Sequence, residues 1–168
     1  MDDARQRIKR GMRRDDLTAQ DWLLNYASRK QEYYKAEAYI SGQSGRGRRG
    51  RGKGGSPVEY QFIHVADVEQ AEQWLLAVES LVDYLPPNRR LFVELWRKCH
   101  ELNNQRLANH EKKMEWVVWV QRKYAEEMAR RTKKDESCYW MTEATLYLWR
   151  HKVINELVRV AYMRGCKF

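Results

Sequence analysis

Along most of this chain the apolar residues recur at three- and four-residue steps, and no strand-like alternation persists beyond short fragments. Ala71, Trp74, Leu75, Val78, Leu81, Val82 and Leu85 keep the helical spacing over four turns, which predicts a helix over 71–85. Pro86-Pro87 ends it, because proline has no amide hydrogen to donate and its ring crowds the preceding turn. Pro87 or Asn88 then opens a helix through Leu91, Leu95 and Cys99. The polar stretch 100–115 is compatible with helix. Met114, Val117, Val118, Val120, Tyr124 and Met128 resume the pattern and predict a helix to about Arg131. The polar break 132–137 follows, and Cys138-Tyr139-Trp140 leads into a last helix that runs to Met163, with Gly165 as its stop.

That last helix has two working faces. Leu146, Trp149, Val153, Leu157, Val160 and Ala161 form one apolar stripe. Ala144, Thr145, Leu148, His151, Lys152 and Asn155 fall away from it. Thr142 suits the N-cap position, where its hydroxyl accepts a bond from an otherwise orphan amide. Small residues in the first turn and basic ones in the second suit the major groove of DNA. The same pattern also describes an ordinary amphipathic helix with a solvated basic face.

In the first part of the chain, Thr18 and Asp21 resemble a capping-box pair, and Trp22, Leu23, Tyr26, Tyr33, Tyr34 and Ala38 predict one Tyr-rich helix over 19–40. Before it, Ile8 and Met12 are four apart and allow a short helix or a frayed basic tail. The stretch 41–57 has no apolar anchor except its terminal proline, and its seven glycines maximise the entropy lost on ordering. It predicts a disordered Gly/Arg-rich linker, whose Arg46, Arg48, Arg49, Arg51 and Lys53 either track phosphates or merely keep a tether solvated. Tyr60, Phe62 and Val65 alternate briefly, as in an extended docking segment. The expected organisation is an N-terminal helical segment (1–40), a flexible basic linker (41–65) and a helical domain (66–168), all-α throughout.

Charge narrows the partners. The net charge is +9. Residues 1–55 carry 14 Lys/Arg against 7 Asp/Glu, 56–110 carry 5 against 8, and 111–168 carry 13 against 8. Two basic segments therefore flank a mildly acidic middle, and a polyanion is the natural partner. Such charge alone confers only salt-sensitive, non-specific affinity. The three cysteines, Cys99, Cys138 and Cys166, lack the paired spacing of a disulfide framework or a zinc site, so neither metal nor cofactor is expected. His64, His100, His110 and His151 are scattered, and adjacent Cys99-His100 would point about 100° apart on a helix, so the residues suggest no enzyme. The chain starts without an apolar stretch of signal-peptide length and has none of spanning length. A cytoplasmic protein without membrane contact is expected.

Several segments, in order, resemble a known pattern. They are Asp21-Trp22-Leu23-Leu24-Asn25-Tyr26 with the Tyr-rich helix and basic linker after it, the helix 71–85, and Leu85-Pro86-Pro87-Asn88-Arg89-Arg90-Leu91-Phe92-Val93-Glu94-Leu95-Trp96. The fourth is Tyr124-Ala125-Glu126-Glu127-Met128 with Thr145-Leu146-Tyr147-Leu148-Trp149-Arg150-His151-Lys152-Val153-Ile154 downstream. The C-terminal half resembles region 4 of sigma factors, and the chain over 19–163 is similar to the RinA/ArpU family of phage late-transcription regulators. The resemblance implies a helix-turn-helix over about 116–163, with Tyr124–Met128 in the supporting helix and 143–157 as the recognition helix. It places Thr145, Leu148, His151 and Lys152 nearest the bases, Tyr147 and Arg150 on backbone or base edges, and Lys133 and Lys134 near phosphates, and Thr142 at the helix start is counted with the DNA-binding residues. It implies double-stranded DNA as partner, in the cytoplasm of a bacterial host; a single module reads few base pairs, so host RNA polymerase or a second copy of the chain is a further expected partner. The sequence departs from the family in the length of the 129–141 connection, in an insertion after Trp96, and in Glu143 at a first-turn position.

The resulting expectation is a sequence-specific transcription activator of a phage or prophage late operon. Two other classes share a basic helical chain: a non-specific nucleic-acid-binding protein driven by the Gly/Arg segment, and a small terminase-like DNA-packaging subunit.

Overall fold

A computed structural model describes residues 13–44 and 65–168. Ile8, Met12, Tyr60, Phe62, His64 and the five linker cations Arg46, Arg48, Arg49, Arg51 and Lys53 lie outside the described residues. Among those described, the fold is all-helical: α1 (Arg14–Leu24), α2 (Tyr26–Ser44), α3 (Val65–Tyr84), α4 (Pro87–Ala108), α5 (Trp116–Thr132), a 3₁₀ turn (Glu136–Tyr139) and α6 (Glu143–Met163). No helix among the described residues is long and apolar enough to cross a membrane.

The predicted helix over 19–40 is two helices. Its start is also earlier, because the Asp16 carboxylate accepts the Arg13 amide (3.0 Å) and caps α1, while Thr18 donates its hydroxyl to the Arg14 carbonyl from inside the helix. The chain breaks at Asn25 without glycine or proline. There the Asn25 side chain donates to Asp21 (2.7 Å) and lies 3.0 Å from His100 Nε2, and the Leu23 carbonyl accepts from Arg97 Nε (2.7 Å). Arg97 from α4 thus bonds a carbonyl that a continuous helix would satisfy internally, and His100 holds the Asn25 side chain. Helix α2 persists to Ser44, beyond residue 41 where the linker is expected to begin. Its first two turns are tied to α3: Tyr26 donates its hydroxyl to Glu79, and Lys30 pairs with the same carboxylate at 2.9 Å.

Helix α3 begins at Val65, earlier than the predicted 71–85, so Val65 is helical rather than extended. Pro86-Pro87 makes the turn into α4 as expected, with Pro87 in the first helical position, where the missing amide costs nothing. Arg90 folds back and donates to the carbonyls of Asp83 (3.0 Å) and Leu85 (3.3 Å) at the end of α3. Helix α4 extends through the polar stretch to Ala108. It ends with His110 in the left-handed region (φ 58°), where the amides of His110 and Glu111 bond the carbonyls of Leu107 and Arg106. Asn103, buried in α4, holds the return: its amide donates to the Met114 carbonyl (3.0 Å) and its oxygen accepts the Met114 N–H (2.8 Å). Each polar atom of that buried side chain is therefore satisfied, which removes the penalty of sequestering it.

The core is formed where these helices meet. Ala19 and Leu23 of α1, Trp74, Val78 and Leu81 of α3, and Phe92, Val93, Trp96 and Cys99 of α4 bury with Val117 and Val120 of α5 and Leu146, Val153, Ile154, Leu157 and Ala161 of α6. Helix α6 packs against α1, α3 and α5. Gly165, at φ +73°, stops it: the amides of Gly165 and Cys166 bond the carbonyls of Tyr162 and Ala161. The tail then returns along α3, where Trp74 Nε1 donates to the Lys167 carbonyl (3.1 Å) and the Phe168 ring meets the Trp74 ring edge-on at 5.0 Å.

Candidate nucleic-acid interface

Helix α6 presents one free face, and its start is fixed by a cap. The Thr142 hydroxyl accepts the Thr145 amide at 3.2 Å and lies 3.0 Å from the Thr145 hydroxyl. A cap of this type contributes about 1 kcal/mol to a helix. Opposite the buried stripe, Ala144, Leu148, His151, Lys152 and Asn155 are exposed, and Thr145 is half-buried on the flank. His151 and Asn155 are one turn apart, with His151 Nε2 3.0 Å from Asn155 Nδ2. Five residues expected at the DNA (Thr142, Thr145, Leu148, His151 and Lys152) thus gather at one end and one side of a single helix.

Tyr147 and Arg150 are placed differently. Arg150 follows Leu146 by four residues and precedes Ile154 by four, so it lies within the buried stripe rather than opposite it. Its guanidinium donates from Nε (3.0 Å) and Nη2 (2.8 Å) to the side-chain oxygen of Gln20 in α1. It sits over the rings of Trp96 and Trp116, at 5.7 and 5.8 Å from their centroids. Burial pulls the Arg150 pKa down, yet the guanidinium remains protonated, and the two rings and Gln20 replace part of its lost hydration. The Tyr147 ring stands edge-on to Trp116 at 5.4 Å. Both residues build the contact between α6 and its neighbours.

Helix α5 continues past Ala129 to Thr132, so the connection to α6 starts at Lys133. Lys133 takes a left-handed conformation (φ 56°), Asp135 accepts the Ser137 amide (2.8 Å), and the Tyr139 hydroxyl donates to Thr132 (2.8 Å). Gln121 of α5 donates to the Met141 carbonyl, which secures the last residues before the cap. Lys133 and Lys134 are exposed in this ordered connection. Arg130 and Arg131 just before them are engaged by Glu127, at 2.7 Å each. Their bonds hold the Glu127 carboxyl down at about 2, Arg130 contributing most. Tyr124, Ala125 and Met128, expected in the supporting helix, lie in the middle and last turns of α5, with Tyr124 and Ala125 buried.

The second half of the free face has another character. An open cleft of about 600 Å³ separates it from the start of α1, lined by Arg13, Asp15, Asp16, His151, Asn155, Arg159 and Tyr162, among others. Tyr162 donates its hydroxyl to Asp15, and Arg159 pairs with Glu156 at 2.5 Å. At this end of the face the carboxylates of Asp15, Asp16 and Glu156 thus stand beside Arg13 and Arg159. Ala144 and Asn155 fall on the free face by periodicity alone, although neither residue type marks a contact. Gln20 carries no such signal, since nothing in its local pattern points to a partner in the last helix.

No group of metal-ligating side chains capable of holding an ion occurs among the described residues. His100 turns to Asn25, away from any role with Cys99. Burial pushes the thiols of Cys99 and Cys166 up to about 11, whereas Cys138 is exposed.

The chain matches no known family profile, no curated protein sequence and no solved structure.

Proposed function

We propose that the protein is a sequence-specific duplex-DNA-binding regulator, an activator of a phage or prophage late operon, with the first half of α6 as its reading head. The observation that carries this reading is the contrast between the two sides of α6. One side is embedded against α1, α3 and α5, and the other offers Ala144, Leu148, His151 and Lys152 beside a capped helix start. A rigidly held helix whose free face carries Leu148, His151 and Lys152 in its first half can enter the major groove, about 12 Å wide. Lys133 and Lys134, exposed in the connection before that helix start, are the residues assigned to phosphates in this reading. The net charge of +9 supplies non-specific affinity and steering. The phage setting, the sigma region 4-like arrangement of α5 and α6, and contact with host RNA polymerase rest on the resemblance of the chain to the RinA/ArpU family.

Selection of the full chain against a random duplex pool tests the reading. One enriched motif is expected, and Thr145→Ala, His151→Ala and Lys152→Ala should each weaken it more than a scrambled duplex. Equal weakening on every sequence, with binding abolished by deletion of 44–55, would instead support a non-specific binder.

A further inference from the structure

The first two turns of the free face of α6 are apolar along their midline. Ala144 and Leu148 are four residues apart, so they stand one above the other, and Leu148 keeps 47% of its surface exposed. Donors and one cation frame this pair: Thr145 and Lys152 lie along one flank, and His151 follows one turn later. Nothing among the described residues covers Leu148. An isolated exposed leucine is unremarkable by itself. Its position is informative, because it occupies the centre of the face that carries the base-proximal residues.

The apolar spot is two side chains wide, too small for the roughly 1,000 Å² that a stable protein partner needs. The Lys152 ammonium beside it complements a polyanion. On the edges of the base pairs in the major groove, the thymine C5-methyl is the apolar group available to such a spot. We propose that Ala144 and Leu148 read thymine methyl groups, making this the specificity-determining part of the site, with Lys152 on the adjoining purine edge. The inference rests on the DNA-binding reading above and adds the base class that it selects. The Leu148 side chain and the methyl leave water together, so the contact favours thymine over cytosine at that position.

The test starts from the duplex that the full chain enriches from a random pool. Each thymine is replaced in turn by deoxyuridine, which removes only the methyl, and affinity is measured for the wild type and for Leu148→Ala. One or two positions should weaken about fourfold without the methyl, as burial of one such group predicts. Leu148→Ala should lose the uracil penalty at one of these positions, the one that Leu148 contacts, and keep any penalty that Ala144 sets. Tolerance of uracil at every position, or a uracil penalty undiminished at every position in Leu148→Ala, would overturn the methyl reading while leaving DNA recognition intact. Failure to enrich any sequence would overturn recognition itself and this inference with it. The uracil series on the wild type needs no variant to fold, and Leu148 is exposed, so its truncation leaves the core untouched.

Discussion

Arg150 and Gln20 are 130 positions apart in the chain and joined by two hydrogen bonds, at 3.0 and 2.8 Å. The bonds tie α6 to α1 across the aromatic floor made by Trp96 and Trp116. Arg150→Ala removes the cation, its stacking and its bonds together, and should cost about 2 kcal/mol, the scale of hydrogen bonds made by a charged group. For a chain of this size that lowers Tm by roughly 6 °C. On the proposed DNA-binding reading, affinity should fall by a similar factor on preferred and scrambled duplexes, because the helix moves as a whole and its free face keeps its side chains. Thermal melts with parallel binding curves check both parts; weakening confined to the preferred duplex would assign Arg150 to the bases.

The end of α5 carries a pH-dependent element. Glu127 accepts from Arg130 and Arg131, which lowers its folded pKa from an ordinary 4.5 to about 2. A depressed carboxylate pKa means that the folded state holds the ionised form more tightly than the unfolded chain does. Its contribution is therefore present above about 4.5 and is lost as pH falls from there through about 2. The stability difference between wild type and Glu127→Gln should be largest at neutral pH and should vanish towards pH 2. Denaturant midpoints across that range measure it, and a difference that grows on acidification would contradict the assigned ion pair.

Thiol reactivity should separate the three cysteines. Only the thiolate attacks, and burial holds Cys99 and Cys166 at about 11 while Cys138 is exposed in the 3₁₀ turn. One thiol per native chain should react rapidly with an aromatic disulfide reagent at neutral pH, and three after denaturation. Cys138→Ser should abolish the rapid phase.

The regular helices are legible in the sequence because their signals are local. Pro86-Pro87 sets the boundary of α3 and α4 through missing amides, and Thr142 and Gly165 bracket α6 through a cap and a left-handed stop. The break at Asn25 is not legible, since it depends on Arg97 and His100 arriving from α4. The continuation of α4 to Ala108 is only compatible with the sequence, because Asn103 reads as a solvent residue until Met114 comes back to meet it.

The sequence by itself determined an all-helical chain with a basic balance, and it defined a last helix with one apolar and one free face, because helical periodicity and charge are properties of neighbours in the chain. Tertiary structure decided which side of that boundary each borderline residue occupies. Thr142, Leu148, His151 and Lys152 remain outside, whereas Arg150 and Tyr147 are drawn in by Gln20, Trp96 and Trp116. A guanidinium can be stable in water or against aromatic faces with an amide acceptor, and only the arrival of those distant partners, up to 130 positions away, selects between the two.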